Sequence, residues 1–385
     1  MAAGPTPLPP AVSQVMAEPI PYHRAPAFIE VYERALENLK GVFQTSNEVL
    51  GFAASGTGAL ESAVSNLIFP DDVACVASAG KFGERWAEIC RSYCADLGHL
   101  DLEWGERIEG EAVAEFLDGM EKKPRAVFAT LSETSTGVVH DVEGIARAAH
   151  EHGAVCVIDA ISGLAAADLP QDDWGVDVVI SGSQKALMTP PGLAFASVGD
   201  RAMEMAMERE GNRFYFDWMR ARKGQLAEPP SSPFTPAVTL WLALDVALRM
   251  ILEEGMPNVL ERHAVLARAA RAGIAGLGLE RFGADFDGSN VVTAASLPEG
   301  IDGALVPKLM RDKYGVTAAG GQGQLKGKIV RIAHCGYFGA FDIVISLGAL
   351  EMALRDLGHD VEPGAGIAAA QQVFVEAGRA PEPVS

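Results

Sequence analysis

Cysteine is scarce in this 385-residue chain, which holds five: Cys75, Cys90, Cys94, Cys156 and Cys335. Cys75 and Cys156 sit inside apolar runs, where a thiol behaves as a small hydrophobe. Cys90 and Cys94 are close in sequence, but no histidine pair follows them at zinc-site spacing. A reduced, cytoplasmic protein without a metal is the expectation. Positive charge is also in short supply, with 31 Lys and Arg against 51 Asp and Glu, a formal net charge of -20. Such a field repels phosphodiester backbones and argues against nucleic-acid binding. It still admits a small anionic ligand wherever local donors outweigh the distant charge. Long hydrophobic runs are missing too. The stretch 154–169 is broken by Asp159 and Asp168, far short of a membrane span. The opening ten residues lack the basic and apolar regions of a secretory signal, so a soluble protein is expected.

What is present is ordinary globular composition, 49% hydrophobic and 21% charged, in a chain long enough for a large and a small domain. The proline-rich start to about residue 26 predicts an extended arm, and 27–43 has helical spacing. Apolar runs at 49–55, 73–79, 99–104, 126–132, 154–160 and 176–181 predict strands. Amphipathic stretches at 58–68, 82–97, 110–122 and 142–152 predict helices between them. That alternation implies an α/β fold, a mostly parallel sheet with helices on both faces. Residues 193–198 would close the sheet as an antiparallel neighbour. Residues 212–236, punctuated by Pro229, Pro230 and Pro233, read as a loop, followed by a helix over 237–254. A smaller α/β unit then follows: helix 259–275, strand 290–295, helix 304–314, strand 328–332 and helix 341–357. The expected division is an arm (1–26), a large domain (27–255), a small domain (256–362), and a short helix with a tail (363–385).

Ligands in open α/β sheets bind at the carboxyl ends of the strands. The polar residues there are Ser55-Gly56-Thr57-Gly58, Glu133-Thr134-Ser135-Thr136-Gly137, Asp159, and Ser183-Gln184-Lys185. Small residues at a strand-to-helix turn let backbone N–H groups approach an anion, although such a turn often only packs a helix on a sheet. Asp159 ends a buried run and is either a strand-end ion pair or the partner of a pyridinium nitrogen. Lys185 follows a buried strand, where desolvation lowers an amine's pKa and frees it for Schiff-base chemistry. Alone it would read as a structural lysine. With Asp159 and the Ser55 turn on the same rim, the functional alternative is favoured.

The run Ser181-Gly182-Ser183-Gln184-Lys185-Ala186-Leu187, with Pro190-Pro191-Gly192 after it, resembles the cofactor-lysine signature of class V aminotransferases. The alanine–glyoxylate and serine–glyoxylate aminotransferases are the group it resembles most. The likeness extends to Gly4-Pro5-Thr6, Ser55-Gly56-Thr57-Gly58, Gly80-Lys81-Phe82-Gly83, Glu133 to Gly137 and Arg331-Ile332-Ala333-His334. It implies pyridoxal 5'-phosphate fold type I and transamination of a small amino acid with glyoxylate or pyruvate. By that resemblance Lys185 would hold the cofactor covalently and shuttle the proton. Ser55, Gly56 and Thr57, with Gln184, would hold its phosphate. Phe82 would stack on the ring and Ile161 would press on the opposite face. Thr134 would lie near the ring hydroxyl and Asp159 at the ring nitrogen. Arg331 would bind the substrate carboxylate and Gly4 would lie near substrate. Thr235 would reach the cofactor phosphate of a partner across a homodimer interface.

The sequence departs from the family pattern in places. Phe82 stands where many relatives have tryptophan, Ser232 where some have tyrosine, and His334-Cys335-Gly336-Tyr337 replaces a methionine-containing form. One arginine for one carboxylate favours alanine, serine and glyoxylate over aspartate or glutamate, with Arg24, Arg213 and Arg220 left unplaced. The alternatives are a same-fold lyase such as a cysteine desulfurase and a non-enzymatic relative. Gln184 before the lysine, where desulfurases carry histidine, argues against the first. Intact Lys185, Asp159 and Arg331 argue against the second.

Overall fold

The computed structural model describes residues 1–94, 96–211, 213–283, 288–378 and 380–384. Seven short strands form the main sheet. The first four are β1 (Glu48–Phe52), β2 (Val73–Ser78), β3 (Asp96–Asp101) and β4 (Ala126–Thr130). After a small hairpin, β5 (Ser132–Glu133) and β6 (Val138–Val139), come β7 (Val155–Asp159), β8 (Val178–Gly182) and β9 (Ala194–Val198). Their order across the sheet is β1-β9-β8-β7-β4-β2-β3. β2, β3, β4, β7 and β8 are parallel. β9 runs antiparallel to both β8 and β1, as the turn at Pro190-Pro191-Gly192 leads one to expect.

Helices cover both faces: α1 (Pro10–Met16), α2 (Pro26–Phe43), α3 (Gly56–Leu67), α4 (Lys81–Tyr93), α5 (Gly110–Asp118), α6 (Val142–Glu151), α7 (Asp200–Met207), α8 (Trp218–Gln225) and α9 (Val238–Glu254). The two-residue period of a strand divides the central runs between two cores. Val127, Ala129, Cys156 and Ile158 pack beneath α2, α5, α6 and α9. Their neighbours Ala126, Phe128, Val155 and Val157 pack beneath α3, α4, α7 and α8. Burial on both faces explains why these strands read as continuous apolar runs rather than alternating ones. All five cysteines are free thiols in buried positions.

The rest of the chain comprises α10 (Met256–Gly276), β10 (Val292–Ser296), α11 (Val306–Asp312), β11 (Ala319–Gly320), β12 (Ile329–Ala333), α12 (Ala340–Asp356) and α13 (Ala365–Glu376). Its sheet, β10-β12-β11, is antiparallel throughout and backs a third core built from α10, α12 and α13.

Four expectations need correction. The arm is not wholly extended, because α1 forms with Pro10 at its first position, where a missing N–H costs nothing, and Val12 is buried against Ala243 and Ala247 of α9. The stretch read as a loop contains α8, whose N-cap Asp217 accepts from the backbone N–H of Arg220, while Asn212 lies outside the described residues. The helix expected to reach residue 97 stops at Tyr93, and the next strand begins three residues earlier than expected, at Asp96. As an edge strand, β3 is only half-buried and lacks the strong apolar run that marks its neighbours. Helix α7 carried no expectation at all; its short pattern offers only Ala202, Met203 and Ala206 to the core.

Candidate active site

The carboxyl ends of β1, β4, β7 and β8 share one rim, and the segments leaving them meet in a single cavity. Nine of the expected site residues line it together: Ser55, Gly56, Thr57, Phe82, Thr134, Asp159, Ile161, Gln184 and Lys185. Lys185 and Asp159, delivered by different strands, therefore face the same space. Arg85, Ser132 and Ser162 also line it and were not anticipated. A signal for Arg85 was available, since it follows Phe82 by three positions on α4 and must share that helix's face.

Each functional side chain is set by local structure. Ser55 is the N-cap of α3 in extended conformation, yet its hydroxyl makes no capping bond and stays available. The first turn of a helix leaves backbone N–H groups without intrahelical acceptors, which favours an anion there. Gly56 is required by packing, since a Cβ would come within 2.5 Å of the Ile161 side chain. Phe82 is held through its backbone. The wholly buried carboxylate of Glu133 accepts from Phe82 N at 2.9 Å, Gly83 N at 3.0 Å, and Ser135 N and Oγ at 3.1 and 2.6 Å. Burial raises the Glu133 pKa, and these donors oppose the shift. Glu133 is thus the positioning group for the start of α4.

Asp159 is buried at the end of β7, with one oxygen accepting from Ile161 N at 2.8 Å. Burial raises its pKa to about 7; the Ile161 bond and the charges of Arg85 and Lys185 pull the other way, and Glu133 adds to the rise. A carboxylate desolvated to that degree is suited to a cationic partner. Lys185 is shifted in the opposite sense, its pKa lowered chiefly by burial, with Cys335 and Asp159 opposing that and Arg331 and Arg85 adding to it. Gln184 Oε1 is buried with no hydrogen-bond partner among the described residues.

The N-terminal segment closes over the lysine. Lys185 Nζ donates to the Ala3 carbonyl, Thr6 N donates to Gln184 O at 3.1 Å, and Thr6 Oγ1 donates to Lys185 O at 2.8 Å. Gly4, at φ +128°, lies against this side chain, and a Cβ there would sit 2.5–2.6 Å from Lys185 Cδ, Cε and Nζ. Gly4→Ala is expected to weaken uptake of the pyridoxal 5'-phosphate that the resemblance implies at least about 10-fold, from the clash and the backbone strain together. Equilibrium titration of the apoprotein checks this, and unchanged affinity would show that the arm is not part of the site.

Arg331 is buried on β12 but is not among the residues lining the cavity. Its Nη1 donates to Thr134 O at 2.6 Å, and Nε and Nη2 donate to Gly320 O at 3.0 and 2.8 Å. Among the described residues it forms no ion pair, and burial lowers its pKa. Thr235 lies apart from the lysine cavity, lining a space of about 660 Å³ with Arg24 and Tyr32. Of the other arginines left unplaced, Arg213 is spent on backbone carbonyls including Ala206 O at 2.7 Å, and Arg220 lies over the Phe214 ring. Cys335 is fully buried, and burial pushes its thiol up to about 11. Among the described residues no group of three or more His, Cys, Asp or Glu is placed to hold a metal ion, and no helix is long and apolar enough to cross a membrane.

Over residues 2–331 the chain matches the family model described as aminotransferase class-V. A soluble hydrogenase small subunit from Synechococcus is 41% identical, with 97% of this chain and 97% of the relative covered. The serine–glyoxylate aminotransferase of Methylorubrum extorquens is 34% identical, with 97% of this chain and 95% of the relative covered. The crystal structure of ureidoglycine–glyoxylate aminotransferase from Bacillus subtilis superposes with a TM-score of 0.92 at 30% identity, covering 97% of each chain.

Proposed function

Because this chain belongs to the class-V aminotransferase family, we propose that it transfers the amino group of a small amino acid, alanine or serine, to glyoxylate or pyruvate, using pyridoxal 5'-phosphate. The observation that carries this proposal is the meeting of Lys185 and Asp159 in one cavity beside the N-terminus of α3. The residues present suit the cofactor's two charged ends. The hydroxyl of Ser55, which makes no capping bond, and a helix N-terminus suit an anion, and a desolvated carboxylate suits a cation.

Lys185 would attach the cofactor through its amine, which desolvation keeps more readily in the nucleophilic free-base form. The same amine would be the base for the substrate's α-proton. When bound, the cofactor supplies an electron-withdrawing ring that absorbs carbanion charge. Asp159 would hold the proton on the ring nitrogen, Phe82 and Ile161 would cover the ring, and Thr134 would lie near the ring hydroxyl; all four line the cavity of Lys185. Ser55, Gly56, Thr57 and Gln184 would hold the phosphate. Gly4 borders the substrate position.

Arg331 binds the substrate carboxylate. Its guanidinium is oriented by two backbone carbonyls and lacks a carboxylate counterion among the described residues. Arg331→Lys is expected to raise KM for the amino donor about 10- to 100-fold, because a point charge cannot reproduce the two-pronged contact. Steady-state kinetics at varied donor would show it, and an unchanged KM would place the carboxylate elsewhere.

Thr235 belongs to the partner's site in this scheme, in a cytoplasmic homodimer with shared active sites, because it lines a different cavity from its own Lys185. Residues 27–255 act as the cofactor domain and 256–362 as the small domain, with 1–26 as the arm and 363–385 as the terminal helix and tail. A cysteine desulfurase reading fits poorly, since Cys335 is fully buried just after β12 and burial raises its thiol pKa, which disfavours the thiolate such chemistry needs. The deciding experiment is a panel of amino donors against glyoxylate and pyruvate, run with wild type and Lys185→Ala. Keto-acid product that depends on Lys185 is expected; no product from any donor removes the transaminase reading.

A further inference from the structure

The site must attract a dianionic phosphate into a protein of net charge -20. Long-range electrostatics oppose that, so a local cation is needed. Of the residues lining the cavity, Lys185 and Arg85 carry the cationic side chains, and Lys185 is committed to the covalent attachment. Arg85 stands on α4 and reaches back to the start of α3, where its Nη1 lies 3.5 Å from Thr57 Oγ1. Its guanidinium carbon is 5.0 Å from the centroid of the Phe82 ring, the ring proposed to stack on the cofactor. Among the described residues Arg85 forms no ion pair, and its charge acts within the cavity, where it favours the ionised form of Asp159.

We propose that Arg85 is the phosphate cation of the cofactor site, closing the cradle that Ser55 and Thr57 open at the N-terminus of α3. This assignment rests on the cofactor reading above and adds to it a residue that the sequence did not single out. The arrangement is chemically coherent. Ser55 Oγ makes no capping bond, Thr57 Oγ1 adjoins the guanidinium, and the first-turn N–H groups of α3 complete a donor set for an anion with three terminal oxygens. The contact with Thr57 also fixes the direction of the charge. It puts the guanidinium at the helix end of the cavity, where the phosphate would lie.

The test compares apoprotein affinity for pyridoxal 5'-phosphate and for pyridoxal, which lacks the phosphate, in wild type, Arg85→Gln and Arg85→Lys. Titrations follow cofactor absorbance at equilibrium. Wild type should prefer the phosphorylated form. Arg85→Gln should lose about 10- to 100-fold affinity for it, with pyridoxal binding held within about 2-fold. Arg85→Lys should fall between, keeping the charge without the fork. Inorganic phosphate should raise the melting temperature of the wild-type apoprotein and leave that of Arg85→Gln unmoved; the same melts establish that the variant is folded. Equal losses for both ligands would assign Arg85 to supporting Phe82 and overturn the proposal. So would undiminished affinity of Arg85→Gln for pyridoxal 5'-phosphate, including a case where only KM for a dicarboxylic donor rises. A wild type that discriminates while Arg85→Gln discriminates equally well removes Arg85 alone. A wild type that takes up neither compound removes the cofactor reading itself, and this assignment with it.

Discussion

Lys185→Ala is expected to lower turnover at saturating donor and acceptor by at least about 10⁴-fold, because attachment and proton transfer are lost together. The fold should survive. Lys185 Nζ is bonded to the Ala3 carbonyl and its burial is unfavourable to the charged form, so removing the amine relieves desolvation while giving up one hydrogen bond. Apoprotein stability should therefore fall by no more than about 1 kcal/mol. Single-turnover measurements with amino donor, alongside thermal melts, separate the two effects. A variant that is folded and retains more than about a hundredth of the wild-type rate would mean that another group moves the α-proton.

Asp159→Asn should pull activity and stability in opposite directions. The amide cannot hold a proton on the ring nitrogen, and removal of one preorganised electrostatic group should lower turnover about 10²- to 10³-fold. Stability of the apoprotein responds otherwise. With a folded pKa of about 7 against the ordinary aspartate value of 3.8, the native state holds this proton more tightly than the unfolded chain. Below pH 3.8 both states are protonated and nothing is lost. Between 3.8 and about 7 the unfolded chain ionises first, so stability declines with rising pH, and the decline is complete above about 7. Its size is on the order of 4 kcal/mol from this one group. Relative to wild type, the Asp159→Asn apoprotein should therefore melt higher at pH 8 and lose the slope between pH 4 and 7. Parallel melts across pH check it, and identical slopes in the two proteins would show that Asp159 is ionised and already compensated in the resting site.

That Asp159, Lys185 and the turn at Ser55 meet in one cavity was largely legible in the sequence, for reasons that belong to individual residues. Asp159 ends a continuous apolar run and Lys185 follows shortly after another, and strands buried on both faces announce themselves by such runs. Ser55-Gly56-Thr57-Gly58 lies at a strand-to-helix junction that composition alone marks. What escaped depends on contacts between residues far apart in the chain. Glu133 spends its carboxylate on Phe82 and Gly83, fifty positions upstream, and no local pattern reports that. Arg85 shows its place only once α3 and α4 are packed side by side. The bond from Lys185 to Ala3 spans nearly half the chain. Among the elements, α8 was hidden by its Arg220, Arg222 and Lys223, although Asp217 offered a capping signal, and β3 was misplaced because an edge strand carries a diluted apolar pattern. Thr235 remains a case of the opposite kind: the family likeness gives it a role that a single chain has no means of displaying.

Borohydride reduction of the cofactor-loaded protein, followed by peptide mapping by mass, asks most directly whether position 185 carries the cofactor. A single reduced pyridoxyl phosphate adduct on Lys185 is the predicted result, and Lys185→Ala should show none. An adduct on any other lysine of the native protein, or a wild type that takes none up, would contradict the assignment of this cavity.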